Sequence, residues 1–101
     1  MRDVAPILRS LGLLESEVKV YLAALESGPS TVIDLAKATR LSRPATYAAI
    51  AALGERGIMS TVTAGKRRLF AAEHPDRLLH YARTREAELH GQVEDLGRAL
   101  P

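Results

Sequence analysis

A chain of 101 residues with 47% apolar and 26% charged residues holds enough apolar material for one small core, which excludes a disordered or fibrous polymer. No apolar run approaches the roughly 20 residues needed to cross a bilayer. The opening MRDVAPILRSLG lacks an apolar core leading to a cleavage site, and the absence of cysteine excludes disulfides and thiolate metal sites. These features describe a cytoplasmic protein made of one compact domain with an extended arm.

Val4, Ile7, Leu8 and Leu11 recur at helical spacing ahead of Gly12, so the chain opens on a short helix with one apolar side. ESEVKVYLAALESGP follows, with Val18, Tyr21, Leu22 and Leu25 on one face and a stop at Gly28-Pro29. A third short helix begins where Thr31 precedes Asp34 by three residues, an acidic variant of the capping box, and buries Val32, Leu35 and Ala36. In LSRPATYAAIAALGERG, Ser42 caps a fourth helix from about Arg43 to Arg56, Pro44 fits its first turn and Gly57 ends it. Periodicity turns Thr46, Ile50 and Leu53 inward, flanked by Ala49, which leaves Pro44, Ala45, Ala48, Ala51, Ala52 and Glu55 outward. Ile58–Ala64 and Arg67–Ala72 are β-compatible runs joined at Gly65-Lys66, a hairpin. From Pro75 onward Leu78, Ala82, Leu89, Val93, Leu96 and Leu100 recur at threes and fours along one long helix.

The charge is unevenly spread. The net value is +2, but residues 40–72 carry six cations (Arg40, Arg43, Arg56, Lys66, Arg67, Arg68) against Glu55 alone. That island of +5 leaves −3 for the remainder and points to a polyanionic partner. Two helices joined by TRLS, followed by a basic hairpin, make the pattern of a winged helix-turn-helix. The fold class is therefore mainly α with a small β-hairpin: a winged helix-turn-helix over residues 1–73 and a long C-terminal helix over 74–101. A major groove about 12 Å wide admits one helix, and a basic hairpin beside it lays cations on neighbouring phosphates.

LGLLESEVKVYLAALESGPSTVIDLAKATRLSRPATYAAIAALGERGIMS, followed by GKRRLFAAEHPDRLL, resembles the N-terminal DNA-binding domain of TrmB-like transcriptional regulators; MarR-like regulators share the plan more remotely. The resemblance runs from about Leu11 to Leu79. It implies a recognition helix carrying Arg43 and Tyr47, and an architecture that usually dimerises. Leu14 stands where the family pattern has a Thr or Ser cap, a loss on the order of 1 kcal/mol, and is expected to pack as an apolar staple instead. Full-length members continue into a sugar-binding effector domain; were these 101 residues the entire protein, sugar sensing would not carry over.

The expected DNA contacts are Arg40, Ser42, Arg43, Pro44 and Tyr47 on the turn and recognition helix, with Lys66, Arg67 and Arg68 on the wing. Arg43 is assigned to guanine edges or phosphates. Tyr47, about 100° from Thr46 on the helix wheel, is expected at the edge of the core with its hydroxyl toward a phosphate. The alanine face holds no hydrogen-bond donor, so sequence discrimination rests on the leading end and on DNA shape. That bare face also supports a rival, a winged-helix protein-interaction module without DNA binding.

Leu78, Ala82, Leu89, Val93, Leu96 and Leu100 are assigned to homodimerisation. Gly91 and Gly97 weaken an isolated helix by about 1 kcal/mol each relative to alanine. Its charges run against its dipole, with Arg77, Arg83 and Arg85 early and Glu86, Glu88, Glu94 and Asp95 late. Two antiparallel copies would match those halves, and the glycines would permit close approach. His74, His80 and His90 share no metal-ligand spacing, the carboxylates form no paired site, and no glycine-rich phosphate loop is present. The protein is therefore expected to be no enzyme and to need no metal or cofactor, with double-stranded DNA and a second copy as its partners.

Overall fold

The computed structural model describes residues 4–101; residues 1–3, the start of the expected 1–73 domain, lie outside the described residues. Five helices and one hairpin follow in the order α1 (Ala5–Ser10), α2 (Glu15–Ser27), α3 (Val32–Thr39), α4 (Arg43–Glu55), β1 (Met59–Ala64), β2 (Arg67–Ala72) and α5 (Pro75–Ala99). Helix α2 is the centre of the packing and touches α1, α3, α4 and β2. Being covered from several directions, it buries Val18, Val20, Tyr21 and Ala24, more of its circumference than a single apolar stripe would require.

Local chemistry sets most of the boundaries. The Thr31 hydroxyl accepts the Asp34 N–H at 3.2 Å, and the Ser42 hydroxyl accepts the Ala45 N–H at 3.2 Å, so both predicted caps are made. Leu14 departs from expectation. It is 64% exposed and packs as no staple; instead the Glu17 carboxylate reaches back to accept the Leu14 N–H at 3.3 Å, the return half of a capping box. In α1 the ridge of Ala5 and Leu8 is buried while Ile7 is 59% exposed. A helix of six residues turns only one i, i+3 ridge to a neighbour, so Ile7, one step round the wheel, stays in solvent.

The hairpin pairs Met59 with Ala72 through Ala64 with Arg67 in antiparallel register. Its tip has a positive φ at Gly65, 62°, and none at Lys66, the pattern of a two-residue type II′ turn. At its base Ser30 and Phe70 exchange backbone hydrogen bonds of 3.0 and 2.8 Å, which ties the strand to the α2–α3 loop. Phe70 is only 3% exposed and anchors the wing in the core.

Helix α5 is different. The molecule measures 57 Å along its longest axis and 28 × 24 Å across, against a length of about 37 Å for 25 helical residues. Only Tyr81 of α5 is buried, with Leu78 partly buried against the same core and Ala82 half-buried. From Arg83 onward nearly every residue is exposed, Leu89, Val93, Leu96 and Leu100 at 57–60%.

Candidate nucleic-acid interface

The α3–α4 turn is shaped by three residues. Arg40 closes α3 in the left-handed conformation, φ 59°, a role usually given to glycine, and its N–H and that of Leu41 both bond to the Ala36 carbonyl. Ser42 then caps α4, with Arg43 and Pro44 in the first turn. Thr46 is fully buried, and its hydroxyl donates to the Ser42 carbonyl at 2.8 Å, so a polar side chain enters the core with its donor satisfied. Thr46, Ala49, Ile50 and Leu53 form the buried face of α4, as periodicity predicts.

Arg40, Ser42, Arg43, Pro44 and Tyr47 are all exposed and gather at the turn and the leading half of α4. Tyr47 is 44% exposed, and its ring meets that of Phe70 edge-on, with centroids 6.4 Å apart. The Arg68 guanidinium lies 5.4 Å over the other partner of that pair, the Phe70 ring. A file of Tyr47, Phe70 and Arg68 therefore joins the recognition helix to the wing through an aromatic pair and a cation–π contact. Because strand side chains alternate in direction, Arg67 projects to the face of the hairpin opposite Arg68. Lys66 occupies the tip. Lys37, in the last turn of α3, is a further exposed cation that a window starting at residue 40 omits.

The trailing half of α4 is occupied otherwise. Ala52 is half-buried, and with Glu55 and Arg56 it lines a groove of about 510 Å³ shared with His80, Tyr81, Thr84, Arg85 and Glu88 of α5. Ala52 of the expected outward face is thus partly covered while Glu55 stays exposed, because α5 leaves the hairpin and passes beside the end of α4. Arg56 also leaves the basic island. Its side chain is only 25% exposed and pairs with Glu17 at 3.1 Å, while it donates to the Tyr81 hydroxyl and to the Gly12 carbonyl at 3.3 Å. The other five cations of the island remain exposed.

On α5, the apolar positions Leu89, Val93 and Leu96 form one stripe at about 100° per residue, which the C-cap residue Leu100 continues. Gly91 falls on the opposite side of that wheel, so it cannot admit a partner at the stripe; Gly97 lies at its edge. Leu78, expected at the dimer seam, is partly buried against the core of the winged-helix portion, the head of the molecule. Asp76 sits in the first turn and Arg98 in the last, where the dipole acts, and exposed local pairs form at Arg85–Glu88 and Arg98–Asp95, while Arg77 and Arg83 precede Glu86 and Glu94 as the sequence places them. His74 caps α5, its Nδ1 accepting the Asp76 N–H at 3.1 Å. Among the described residues no group of three potential ligands is placed to hold a metal ion, and no helix is long and apolar enough to cross a membrane.

Comparison with known proteins agrees with this geometry. The family model described as "Sugar-specific transcriptional regulator TrmB" matches residues 8–76. Among solved structures, TrmBL2, an archaeal chromatin protein described as showing a novel mode of DNA binding, superposes with a TM-score of 0.79 at 20% identity, over 95% of this chain and 37% of its own. A possible transcriptional regulator from Methanosarcina mazei Go1 gives 0.73 at 12% identity, covering 92% and 83%. An ArsR-like transcriptional regulator from Rhodococcus sp. RHA1 gives 0.64 at 19% identity, covering 94% and 88%. At these identities the likeness establishes the winged-helix fold, and the chain spans little more than a third of the length of TrmBL2. No curated protein sequence matches the chain.

Proposed function

Because the chain belongs to the TrmB family of transcriptional regulators, we propose that it binds double-stranded DNA as a homodimer, with α4 in the major groove and the wing on the flanking backbone. The observation that carries this reading is the side-chain file from Tyr47 through Phe70 to Arg68. It holds a wing cation in register with a recognition helix whose leading end is exposed and cationic. Arg43 reads base edges or the adjacent phosphate, Arg40 and Ser42 contact the backbone, and Tyr47 sets the spacing between helix and wing. The surface from Pro44 to Ala51 is small and donor-poor, so it approaches the bases closely without bidentate bonds, and sequence preference is modest.

The dimer is proposed on the exposed stripe of Leu89, Val93, Leu96 and Leu100. The remaining positions assigned to it, Leu78 and Ala82, lie at the junction with the head. The apolar stripe is the main support for association; the local pairs Arg85–Glu88 and Arg98–Asp95 take up part of the charge that an antiparallel pairing would match. Half-sites then lie about one helical turn apart, roughly 34–36 Å.

Salt dependence of binding to duplex DNA tests the proposal. Neutralising about three to five phosphates per protomer gives a slope of log affinity against log salt of roughly −3 to −4.5 per protomer. Replacing Arg67 and Arg68 together with alanine is expected to reduce the slope by about 2 per protomer. A protein that shows no retention of random duplex at low salt is instead an interaction module built on the same fold.

A further inference from the structure

We infer that Arg56 and Tyr81 form the positioning clamp that sets the angle between the winged head and the α5 arm, and so the half-site spacing that a dimer accepts. The inference rests on the dimeric DNA-binding reading above and names the residues that control its geometry. Tyr81 is the single buried residue of α5. Its ring lies 5.5 Å beneath the Arg56 guanidinium, its hydroxyl accepts from Arg56, and the same hydroxyl donates to the Leu11 carbonyl at 3.3 Å. Arg56 in turn is held by Glu17 at 3.1 Å and the Gly12 carbonyl at 3.3 Å. Glu17 is only 4% exposed and also accepts the Leu14 N–H. One guanidinium therefore joins the end of α4, the first turn of α2, the α1–α2 corner and the arm.

A planar fork with several fixed partners is a directional joint, which apolar packing alone is not. The lever lengths make its angle matter. Arg43 lies 13 residues from Arg56 along α4, about 20 Å of helix. With the arm fixed in a seam, a tilt of about 10° at the clamp displaces Arg43 by about 3.5 Å, close to the 3.4 Å rise of one base pair. Beyond Tyr81 the arm has no other buried side chain to resist such a tilt.

The test uses the full chain on duplexes in which the separation of two half-sites varies one base pair at a time. The wild-type protein is expected to lose about tenfold in affinity one step from its preferred spacing. Tyr81→Phe keeps the ring and removes both hydroxyl bonds; Arg56→Lys keeps the charge toward Glu17 and removes the fork. Both are expected to flatten the spacing profile to about threefold or less, with affinity for a single half-site unchanged. Spin labels at Ala48→Cys in the two heads of the DNA-free dimer should give a narrow distance distribution in the parent protein and a broader one in each variant. An unaltered profile and distribution in both variants overturns the clamp while leaving the DNA-binding dimer standing. A parent protein that forms no dimer or shows no spacing preference overturns the clamp together with the reading beneath it.

Discussion

Helices α4 and α5 both carry exposed surface, and they are held in opposite ways. Three of the first five residues of α4 are exposed with Ser42, yet the backbone beneath them is anchored by Thr46, Ala49, Ile50 and Leu53, so exposed groups stand on a rigid base. The arm, after Tyr81, has an apolar stripe and no base of its own. A polar exposed end on a packed helix is suited to reading another molecule, whereas an apolar exposed stripe on an unpacked helix requires a cover.

The difference can be broken from either side. Leu53 has no solvent exposure, and Leu53→Ala is expected to lower the head's stability by about 2–5 kcal/mol through the cavity it leaves, measured by denaturant unfolding. Leu96→Asp, in the arm, should leave head unfolding nearly unchanged and weaken association by about 2–4 kcal/mol, since the apolar contact is lost from both copies; sedimentation at graded concentrations reads this. An intact dimer in that variant would remove the stripe from the interface. On the reading end, Arg43→Ala is expected to reduce discrimination between the preferred sequence and random duplex by about 1–3 kcal/mol, with no change in melting temperature.

Two smaller effects sharpen what the head's packing contributes. The Tyr21 hydroxyl is buried without a hydrogen-bond partner among the described residues, so Tyr21→Phe should leave the head as stable or about 1 kcal/mol more stable. Burial also raises the phenol's pKa above its ordinary value. The folded chain then keeps this proton at a pH where the unfolded chain releases it, so the contribution is intact below about pH 10 and is lost as pH rises through the folded-state value. Tyr21→Phe should flatten that alkaline decline in an unfolding titration. Arg40→Gly should relieve the left-handed backbone and stabilise the head by up to about 1 kcal/mol. If Arg40 also holds a phosphate, the same variant binds DNA with a salt slope reduced by about 1.

Features legible in the sequence are those decided within a few residues. Thr31 and Ser42 cap by bonding three residues onward, Gly65-Lys66 closes a two-residue turn, and Thr46, Ile50 and Leu53 follow the helical period. The errors lie where distant elements meet. Ile7 obeys the helical spacing and is still exposed, because α1 offers one ridge. Leu78 belongs by spacing to the arm's stripe, and the head claims it. Ala52 looks outward on the wheel, and α5 passes beside it. Arg56 reads as one more cation in a basic run, whereas its partners are Glu17, 39 residues away, and Tyr81, 25 residues away.

The sequence by itself determined the element order, the Thr31 and Ser42 caps, the turn, the inward face of α4 and the basic wing, because each follows from backbone sterics and periodicity over one or two turns. Tertiary structure alone decided which cation is structural, where α4 becomes partly covered, how the wing is registered on Tyr47 and which part of α5 is left uncovered. Those outcomes depend on which side chains are excluded from water together, and that is a property of the packed chain.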